Sequence, residues 1–306
     1  MGSLLHYVPE VRNARAIQLL AGGFSEDTVS VVTMENGLKL LLKSGPLEGL
    51  SRKKEVAAHM MKLKRHGVHC ADVLTVDSCP DHNLAYTLTT FIEGTTIREN
   101  MHSLSTKEQW NAGKDSGEDL ILIHSYDVSV DHPSWKERAV AKHRRYEVDF
   151  HRLGLHFTKT QEVFAFIESH LHLMNDRPNQ FQHDDFHVGN LIVNDSTYAG
   201  VIDFDRFDWG DPWHDFTKLA FFSQECSSAF AVGQLYGYFS GNEPPANFWP
   251  FYSLYTAMGI ISAMVWTNKM NPENAAAMRQ RIDRICIEHD DFRLYKPKWF
   301  THYEQE

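Results

Sequence analysis

The sequence contains few cysteines, and they form no recognisable metal or disulfide motif. The four cysteines of this 306-residue chain are far apart and no C-x-x-C occurs: they are Cys70, Cys79, Cys226 and Cys286. This spacing predicts reduced thiols in a cytoplasmic protein, without a zinc site or a disulfide framework. The 18 histidines are also scattered, with no H-E-x-x-H pattern, so the sequence does not predict a transition-metal site.

Long apolar runs are missing as well. No window approaches the roughly 18 uninterrupted apolar residues of a membrane-spanning helix. The first twenty residues lack a positively charged region followed by a long apolar run, which argues against a secretory signal. The sequence therefore predicts a protein that is free in the cytoplasm and has no membrane partner.

Positive charge is in deficit. Lysine and arginine number 30 against 40 aspartate and glutamate residues, which gives a formal net charge of -10 at pH 7. Nucleic-acid binding requires clustered lysine and arginine, so nucleic acid is not predicted as a partner. The negative charge is compatible with a cationic small molecule attracted to an acidic cleft. We expect a monomer or a weak dimer.

The stretch over residues 181–215 carries most of the polar residues suited to chemistry, and it reads FQHDDFHVGNLIVNDSTYAGVIDFDRFDWGDPWHD. Two apolar runs, at residues 191–193 and 199–202, are separated by turn residues at 194–196, and the second run ends on Asp203. This pattern predicts a loop followed by a hairpin. An acid that accepts a hydroxyl proton, with an asparagine and a second aspartate for Mg²⁺, is what metal-assisted phosphoryl transfer needs.

Three motifs in this stretch resemble those of the aminoglycoside phosphotransferase and choline kinase-like family of small-molecule kinases. Residues 183–190 read H-D-D-F-H-V-G-N and resemble the family's H-G-D-x-H-x-x-N loop, with Asp184 where the family usually has glycine. Residues 202–205 read I-D-F-D and resemble I-D-[WFY]-[DE]. Residues 210–215 read G-D-P-W-H-D and resemble G-D-P-x-x-D.

The resemblance implies a fold and a set of roles. The fold is α+β, a two-lobe protein-kinase-like fold with a small β-rich N-lobe and a larger, mainly helical C-lobe. Asp185 would orient and deprotonate the acceptor hydroxyl, whereas Asn190 and Asp203 would hold Mg²⁺ against ATP or GTP. No Ala-Pro-Glu or long activation segment follows Asp203, so protein kinase activity is not favoured.

Residues 1–94 are predicted to form the nucleotide-binding lobe, with a hinge at its end. Gly22, Gly23 and Ser25 resemble the family's phosphate loop, because small residues let backbone N–H groups approach a polyanion. Lys43 ends a predicted strand, and Glu55 lies on a predicted helix over residues 51–63. A strand lysine paired with a helix glutamate is a device that holds the lysine against nucleotide phosphates.

The hinge would lie at residues 90–94, where the backbone at Thr90 and Ile92 would meet the adenine edge. Residues 95–306 would form the catalytic and acceptor-binding lobe, in which a capping box at Ser105 and an amphipathic pattern over residues 160–173 predict helices. In the family, late helices wall the acceptor pocket. The candidates here are Glu288, Asp290 and Asp291 for a cationic group and Trp266 for ring stacking.

The predicted reaction moves the γ-phosphate of ATP or GTP to a hydroxyl of a small molecule. An aminoglycoside or similar cationic antibiotic is the first choice, which would make the chain an antibiotic-resistance kinase. Choline, an amino alcohol, a sugar, a macrolide and a peptide antibiotic remain as alternatives. An inactive nucleotide-binding regulator is an alternative of another class, and the intact set of Lys43, Asp185, Asn190 and Asp203 argues against it.

Overall fold

The computed structural model describes residues 7–20, 27–126 and 133–303. The chain divides into two compact units. The smaller unit comprises Met1–Gly94 and Ala199–Asp205, and the larger unit comprises Thr95–Tyr198 and Arg206–Glu306. The smaller unit is rich in strands and the larger one is mainly helical. The predicted α+β fold is confirmed.

A five-stranded antiparallel sheet forms the frame of the smaller unit. Its strands are β1 (Ala14–Leu19), β2 (Thr28–Met34), β3 (Lys39–Pro46), β4 (Val73–Cys79) and β5 (Leu84–Thr90), in the order β1-β2-β3-β5-β4. Along β3 the side chains alternate between faces, so Leu40 and Leu42 are buried while Lys43 lies on the opposite face. The apolar face packs on a core that includes Val8, Val11, Val32, Tyr86 and Leu88.

Helix α1 (Leu50–Arg65) covers this sheet and contacts β4 and β5. Its buried apolar residues, Val56, Ala57 and Leu63, recur at helical spacing and form the inner face. Lys53 is also buried on α1, because its ammonium group pairs with the carboxylate of Asp27. A buried ammonium group requires such a partner.

The segment Ala199–Asp205 is attached to the smaller unit through its backbone. Val201 N donates to His69 O at 2.8 Å, and Cys70 and Val201 form a parallel bridge. Gly200 has a φ of +148°, and a Cβ at this position would lie 2.4 Å from His69 O. Only glycine allows this approach, so this residue fixes the start of the I-D-F-D stretch.

The larger unit contains short strands and most of the helices. The strands are β6 (Thr95–Thr96), β7 (Gln180–Gln182), β8 (Leu191–Asn194), β9 (Thr197–Val201, which continues into the smaller unit) and β10 (Asp208–Gly210). The helices are α2 (Ile97–Asn100), α3 (Thr106–Ser125), α4 (Trp135–Arg152), α5 (Thr160–His170), α6 (Ser228–Tyr238), α7 (Phe248–Met270), α8 (Ala275–Glu288) and α9 (Lys298–Tyr303). The predicted capping box at Ser105 is present at the start of α3.

Helix α7 is the core helix of the larger unit and packs against α4, α5 and α8. By length and composition it is the one described helix that could cross a membrane, yet 67% of its 18-residue window is buried inside the protein. The run before α6 forms a 3₁₀ turn (Pro212–Phe216) and a π-helical turn (Leu219–Ser223).

Candidate active site

Asp185 lies in the loop between β7 and β8, and basic side chains surround its carboxylate. Lys218 Nζ lies 2.9 Å from Oδ1, and His187 Nε2 lies 3.6 Å from the same oxygen. Arg206 Nε lies 3.8 Å from Oδ2. The Asp185 side chain is only 17% exposed, so these groups face it in a partly dry environment in which charges interact more strongly than in water.

This environment determines the protonation state of Asp185. Burial raises the pKa of the Asp185 carboxyl, but Lys218 and His187 lower it by more, so the net pKa is below the usual value. Burial lowers the pKa of His187 to about 4, which leaves its imidazole neutral at pH 7. Asp185 is therefore an ionised carboxylate at neutral pH, able to orient a hydroxyl group and to accept its proton.

The sequence does not predict the contact of Lys218 with Asp185. It lies between the Pro212–Phe216 turn and the Leu219–Ser223 turn, three residues beyond the end of the G-D-P-W-H-D motif. A single lysine after a motif gives no sequence signal for a contact with Asp185. The irregular helical geometry of this segment brings the two side chains together.

Asn190 is held against Asp185 by its side-chain amide. Its Nδ2 donates to the backbone oxygen of Asp185 at 3.0 Å and to Oδ2 at 3.3 Å. Because the nitrogen faces Asp185, the amide oxygen of Asn190 faces away from that residue. Amide oxygens are ligands that hard divalent cations accept.

Asp215 anchors the start of this loop. Its fully buried carboxylate accepts hydrogen bonds from the backbone N–H groups of His183, at 2.9 Å, and Asp184, at 2.7 Å. His124 Nε2 lies 3.0 Å from the same carboxylate, and its Nδ1 lies 3.0 Å from Tyr238 Oη. A buried carboxylate needs several such donors. The last aspartate of the G-D-P-W-H-D motif thus holds the backbone beside Asp185.

Asp184 adopts the backbone conformation that favours glycine. Its φ is +57°, in the left-handed region that aspartate tolerates better than most residues. Its Oδ1 lies 3.3 Å from His214 Nδ1. Burial raises the pKa of the Asp184 carboxyl, but His214, Lys142 and Lys218 lower it by more. The substitution of the usual glycine therefore keeps the loop conformation and adds a charged carboxylate.

Asp211, the first aspartate of the same motif, has a packing role. Arg177 holds it with two hydrogen bonds, of 2.5 and 2.7 Å, and Tyr255 on α7 donates its hydroxyl at 2.6 Å. The Arg177 guanidinium lies 4.4 Å from the Trp213 ring centroid and 4.2 Å from that of Phe251. These contacts fix the motif to the core helix of the larger unit.

In the smaller unit, Lys43 meets two carboxylates of the I-D-F-D stretch. Its Nζ lies 3.1 Å from Asp203 Oδ1 and also contacts Asp205 Oδ2. Burial lowers the pKa of Lys43, but these carboxylates raise it by more, so the net pKa is above the usual value. Asp203 has a φ of +64°, a strained conformation of the kind that occurs at functional sites. Two carboxylates facing one positive charge form a donor set that suits Mg²⁺.

The predicted pairing of Lys43 with Glu55 is wrong. Glu55 pairs with Arg52, at 2.9 Å and one turn away on α1, and its side chain is 47% exposed. Arg52 Nη2 also donates to the backbone oxygen of Asp205 at 2.8 Å. Helix α1 therefore contacts the I-D-F-D stretch through Arg52. The carboxylates of that stretch pair with Lys43.

Of the other predicted nucleotide-binding residues, Thr90 and Ile92 are among the residues that the structure describes. Gly22, Gly23 and Ser25 lie outside the described residues. Thr90 ends β5, where its N–H donates to Asp72 O at 2.9 Å. That N–H group is therefore engaged within the smaller unit. Ile92 follows in irregular backbone just before the end of the unit.

The predicted acceptor carboxylates are engaged with groups of the chain itself. Their partners are the Trp299 N–H for Glu288 at 2.8 Å, Lys159 for Asp291 at 2.8 Å, and Arg293 and Lys298 for Asp290 at 3.3 and 3.6 Å. Trp266 is half-buried on α7. A cationic acceptor would have to compete with these partners.

The family model described as "Phosphotransferase enzyme family" (APH) matches residues 16–249 of the chain. This match includes Lys43, Asp185, Asn190 and Asp203 and all three motifs of the candidate site. No curated protein matches the chain significantly.

Several solved structures share the fold. A thermostable mutant of aminoglycoside phosphotransferase APH(4)-Ia, in ternary complex with ADP and hygromycin B, is 17% identical with a TM-score of 0.66, covering 90% of this chain and 95% of that one. Amicoumacin kinase hAmiN, in complex with AMP-PNP, Ca²⁺ and Ami, is 16% identical with a TM-score of 0.65, covering 98% and 93%. The GDP complex of an aminoglycoside 2'-phosphotransferase-IIIa mutant is 14% identical with a TM-score of 0.71, covering 92% and 94%.

Proposed function

Since the chain belongs to the phosphotransferase enzyme family, we propose that it transfers the γ-phosphate of ATP or GTP to a hydroxyl group of a small molecule. The observation that carries this proposal is the ionised carboxylate of Asp185, paired with Lys218 at 2.9 Å in a loop anchored by Asp215. Phosphoryl transfer relies on positioning and on electrostatic stabilisation, and this arrangement supplies both.

In this proposal, each residue of the candidate site has its own role. Asp185 accepts a hydrogen bond from the acceptor hydroxyl and takes its proton as the new O–P bond forms. The bond between the γ-phosphorus and the β,γ-bridging oxygen breaks at the same time, and ADP or GDP leaves. The cation of Lys218 keeps Asp185 ionised until then. Asn190 and Asp203 are our proposed ligands for Mg²⁺, which supplies charge neutralisation to the nucleotide when bound. Lys43 is proposed to contact the nucleotide phosphates.

The smaller unit is proposed to bind the nucleotide. Thr90 and Ile92 would meet the adenine edge, and Gly22, Gly23 and Ser25 would meet the phosphates. Glu55 keeps only an indirect role in this proposal, because it restrains Arg52 and not Lys43.

An aminoglycoside or similar cationic antibiotic is the acceptor that we propose first. The net charge of -10 supports it, as does the structural neighbour APH(4)-Ia, which is in complex with ADP and hygromycin B. An acceptor similar to amicoumacin is the second candidate, since the amicoumacin kinase matches 98% of this chain, against 90% and 92% for the two aminoglycoside enzymes. Binding at Glu288, Asp290 and Asp291 would require displacement of their present partners.

A coupled assay of ADP or GDP formation, run over hydroxyl-bearing antibiotics, choline, amino alcohols and sugars, tests the function. We expect Mg²⁺-dependent nucleotide turnover that requires one class of acceptor. Tight Mg²⁺-nucleotide binding in a thermal-shift titration, with no turnover for any acceptor, would support the inactive regulator instead.

Asp203→Asn is expected to weaken Mg²⁺-dependent nucleotide binding by at least about tenfold, because it removes the charge that a hard divalent cation prefers in an oxygen ligand. Thermal-shift titrations of nucleotide at several Mg²⁺ concentrations measure this effect. Asp205→Asn is the matched variant, since Asp205 also contacts Lys43. A larger loss in Asp205→Asn than in Asp203→Asn would show that the metal assignment within this stretch is wrong.

Lys218→Met is expected to move the acidic limb of the kcat/KM profile to higher pH. Lys218 lowers the pKa of Asp185, so its removal raises that pKa, and the carboxylate becomes protonated at a higher pH. Lys142→Met is the control, because Lys142 acts on Asp184. An acidic limb that stays at the wild-type pH in Lys218→Met would remove Lys218 from this role.

A further inference from the structure

A cluster of one histidine and two glutamates lies in the larger unit, outside the residues discussed so far. His143 and Glu147 are four residues apart on α4, which places them on the same face of the helix, and Glu168 is on α5. One candidate ligand atom from each residue lies within 4.8 Å of the other two. The three side chains could therefore reach one ion.

His143 is the reason to regard this cluster as a site. The residue is only 3% exposed, and neither Nδ1 nor Nε2 has a hydrogen-bond partner among the residues that the structure describes. Buried polar side-chain atoms are nearly always paired, so an unpaired imidazole beside two carboxylates requires an explanation. Burial also lowers the pKa of His143, which leaves the ring neutral and its lone pair available to a metal.

Arg144 neutralises the two glutamates in the structure. Its guanidinium lies 2.8 Å from Glu147 Oε2 and forms a bidentate pair with Glu168, at 2.5 Å from Oε1 and 2.7 Å from Oε2. The hydrogen bonding to Arg144 lowers the pKa of Glu168. The Arg144 side chain is 43% exposed. A metal ion would have to displace this bidentate pair, and the exposed position of Arg144 allows its guanidinium to be hydrated when the ion takes the carboxylates.

We propose that His143, Glu147 and Glu168 form a binding site for a divalent transition-metal ion of the Zn²⁺ class. One imidazole nitrogen with two carboxylate oxygens is a set that Zn²⁺ accepts in three-ligand sites with an open position. The nitrogen disfavours Mg²⁺ and Ca²⁺, which prefer oxygen ligands alone. The site is separate from the proposed Mg²⁺ ligands and does not depend on the proposed function.

Because the ligands come from α4 and α5, a bound ion would join these helices and stabilise the folded larger unit. Binding to the folded state alone raises the free energy of unfolding by RT ln(1 + [ion]/Kd), and the unfolding temperature rises with it. We expect Zn²⁺ to raise the Tm of the full chain at concentrations where Mg²⁺ does not.

The experiment is a competition titration of Zn²⁺ against a chromophoric chelator, with the full chain and no nucleotide. His143→Gln and Glu168→Gln should each lower the Zn²⁺ affinity by at least about tenfold. Even the loss of a residue that only hydrogen-bonds to a metal ligand can lower metal affinity by that factor. Arg144→Gln should tighten binding, because it removes the competing cation. His151→Gln is the control, since His151 is an exposed histidine on the same helix.

Equal Zn²⁺ affinity in the wild type and in Glu168→Gln would overturn the proposal. Glu168 is half exposed, so this variant should fold even if His143→Gln does not. An equal loss of Zn²⁺ affinity in His151→Gln would also overturn it, because the ion would then bind exposed histidines with no preference for His143. A loss of Zn²⁺ affinity in His143→Gln and Glu168→Gln, but not in His151→Gln, would establish the site.

Discussion

Asp185→Asn is expected to lower kcat by about 10²–10⁴, the usual loss when a positioned acid–base group is removed. The amide keeps the shape of the side chain but cannot accept the hydroxyl proton. Nucleotide affinity should stay close to the wild-type value, because the proposed role of Asp185 is toward the acceptor. Steady-state kinetics with the acceptor found by screening, beside a nucleotide titration, measure both quantities.

Asp184→Gly is the matched control for this prediction. Glycine adopts the φ of +57° at this position without strain, so the loop conformation should be retained. The electrostatic interactions of Asp184 with His214, Lys142 and Lys218 are lost. Near wild-type turnover in Asp185→Asn, or an equal loss in Asp184→Gly, would contradict the assignment of the base to Asp185.

Asp215→Asn is expected to destabilise the protein by about 3–5 kcal/mol, the range observed when a buried charged hydrogen-bonding group loses its partner. The carboxylate accepts from the N–H groups of His183 and Asp184 and also contacts His124. An asparagine side chain has one acceptor oxygen and turns an NH₂ group toward one of these donors. Denaturant unfolding, followed by circular dichroism, measures the free energy of unfolding.

The same variant should also lose activity, because the backbone that carries Asp185 would no longer be held in place. Asp290→Asn is a suitable control for the unfolding measurement, since its carboxylate is 42% exposed and its ion pairs are longer. We expect a change of less than about 1 kcal/mol there. Wild-type unfolding and turnover in Asp215→Asn would contradict its role as the anchor.

The sequence predicts the features that depend on local spacing. Ser105 and Glu108 are three residues apart and form the capping box that begins α3. Lys43 lies on a strand, as predicted, and the alternation of side chains along β3 places it on the face opposite Leu42. The spacing of Asp185 and Asn190 likewise indicated one loop, and in the structure their side chains are hydrogen-bonded.

Contacts between distant segments could not be predicted in this way. The partner of Lys43 was expected on the following helix, but it comes from the I-D-F-D stretch, some 160 residues later in the chain. Lys218 reaches Asp185 from an irregular helical turn. The cluster of His143, Glu147 and Glu168 depends on the packing of two helices, although the spacing of His143 and Glu147 was visible in the sequence.

The central claim is that the chain phosphorylates a small-molecule hydroxyl with Asp185 as the base. Mass spectrometry of the acceptor after incubation with Mg²⁺ and ATP or GTP tests it most directly, in the wild type and in Asp185→Asn. We predict the addition of one phosphoryl group on a hydroxyl oxygen by the wild type, and a rate lower by about 10²–10⁴ in the variant. Product formed by Asp185→Asn at the wild-type rate, or a phosphoryl group found on an amine nitrogen, would contradict this account.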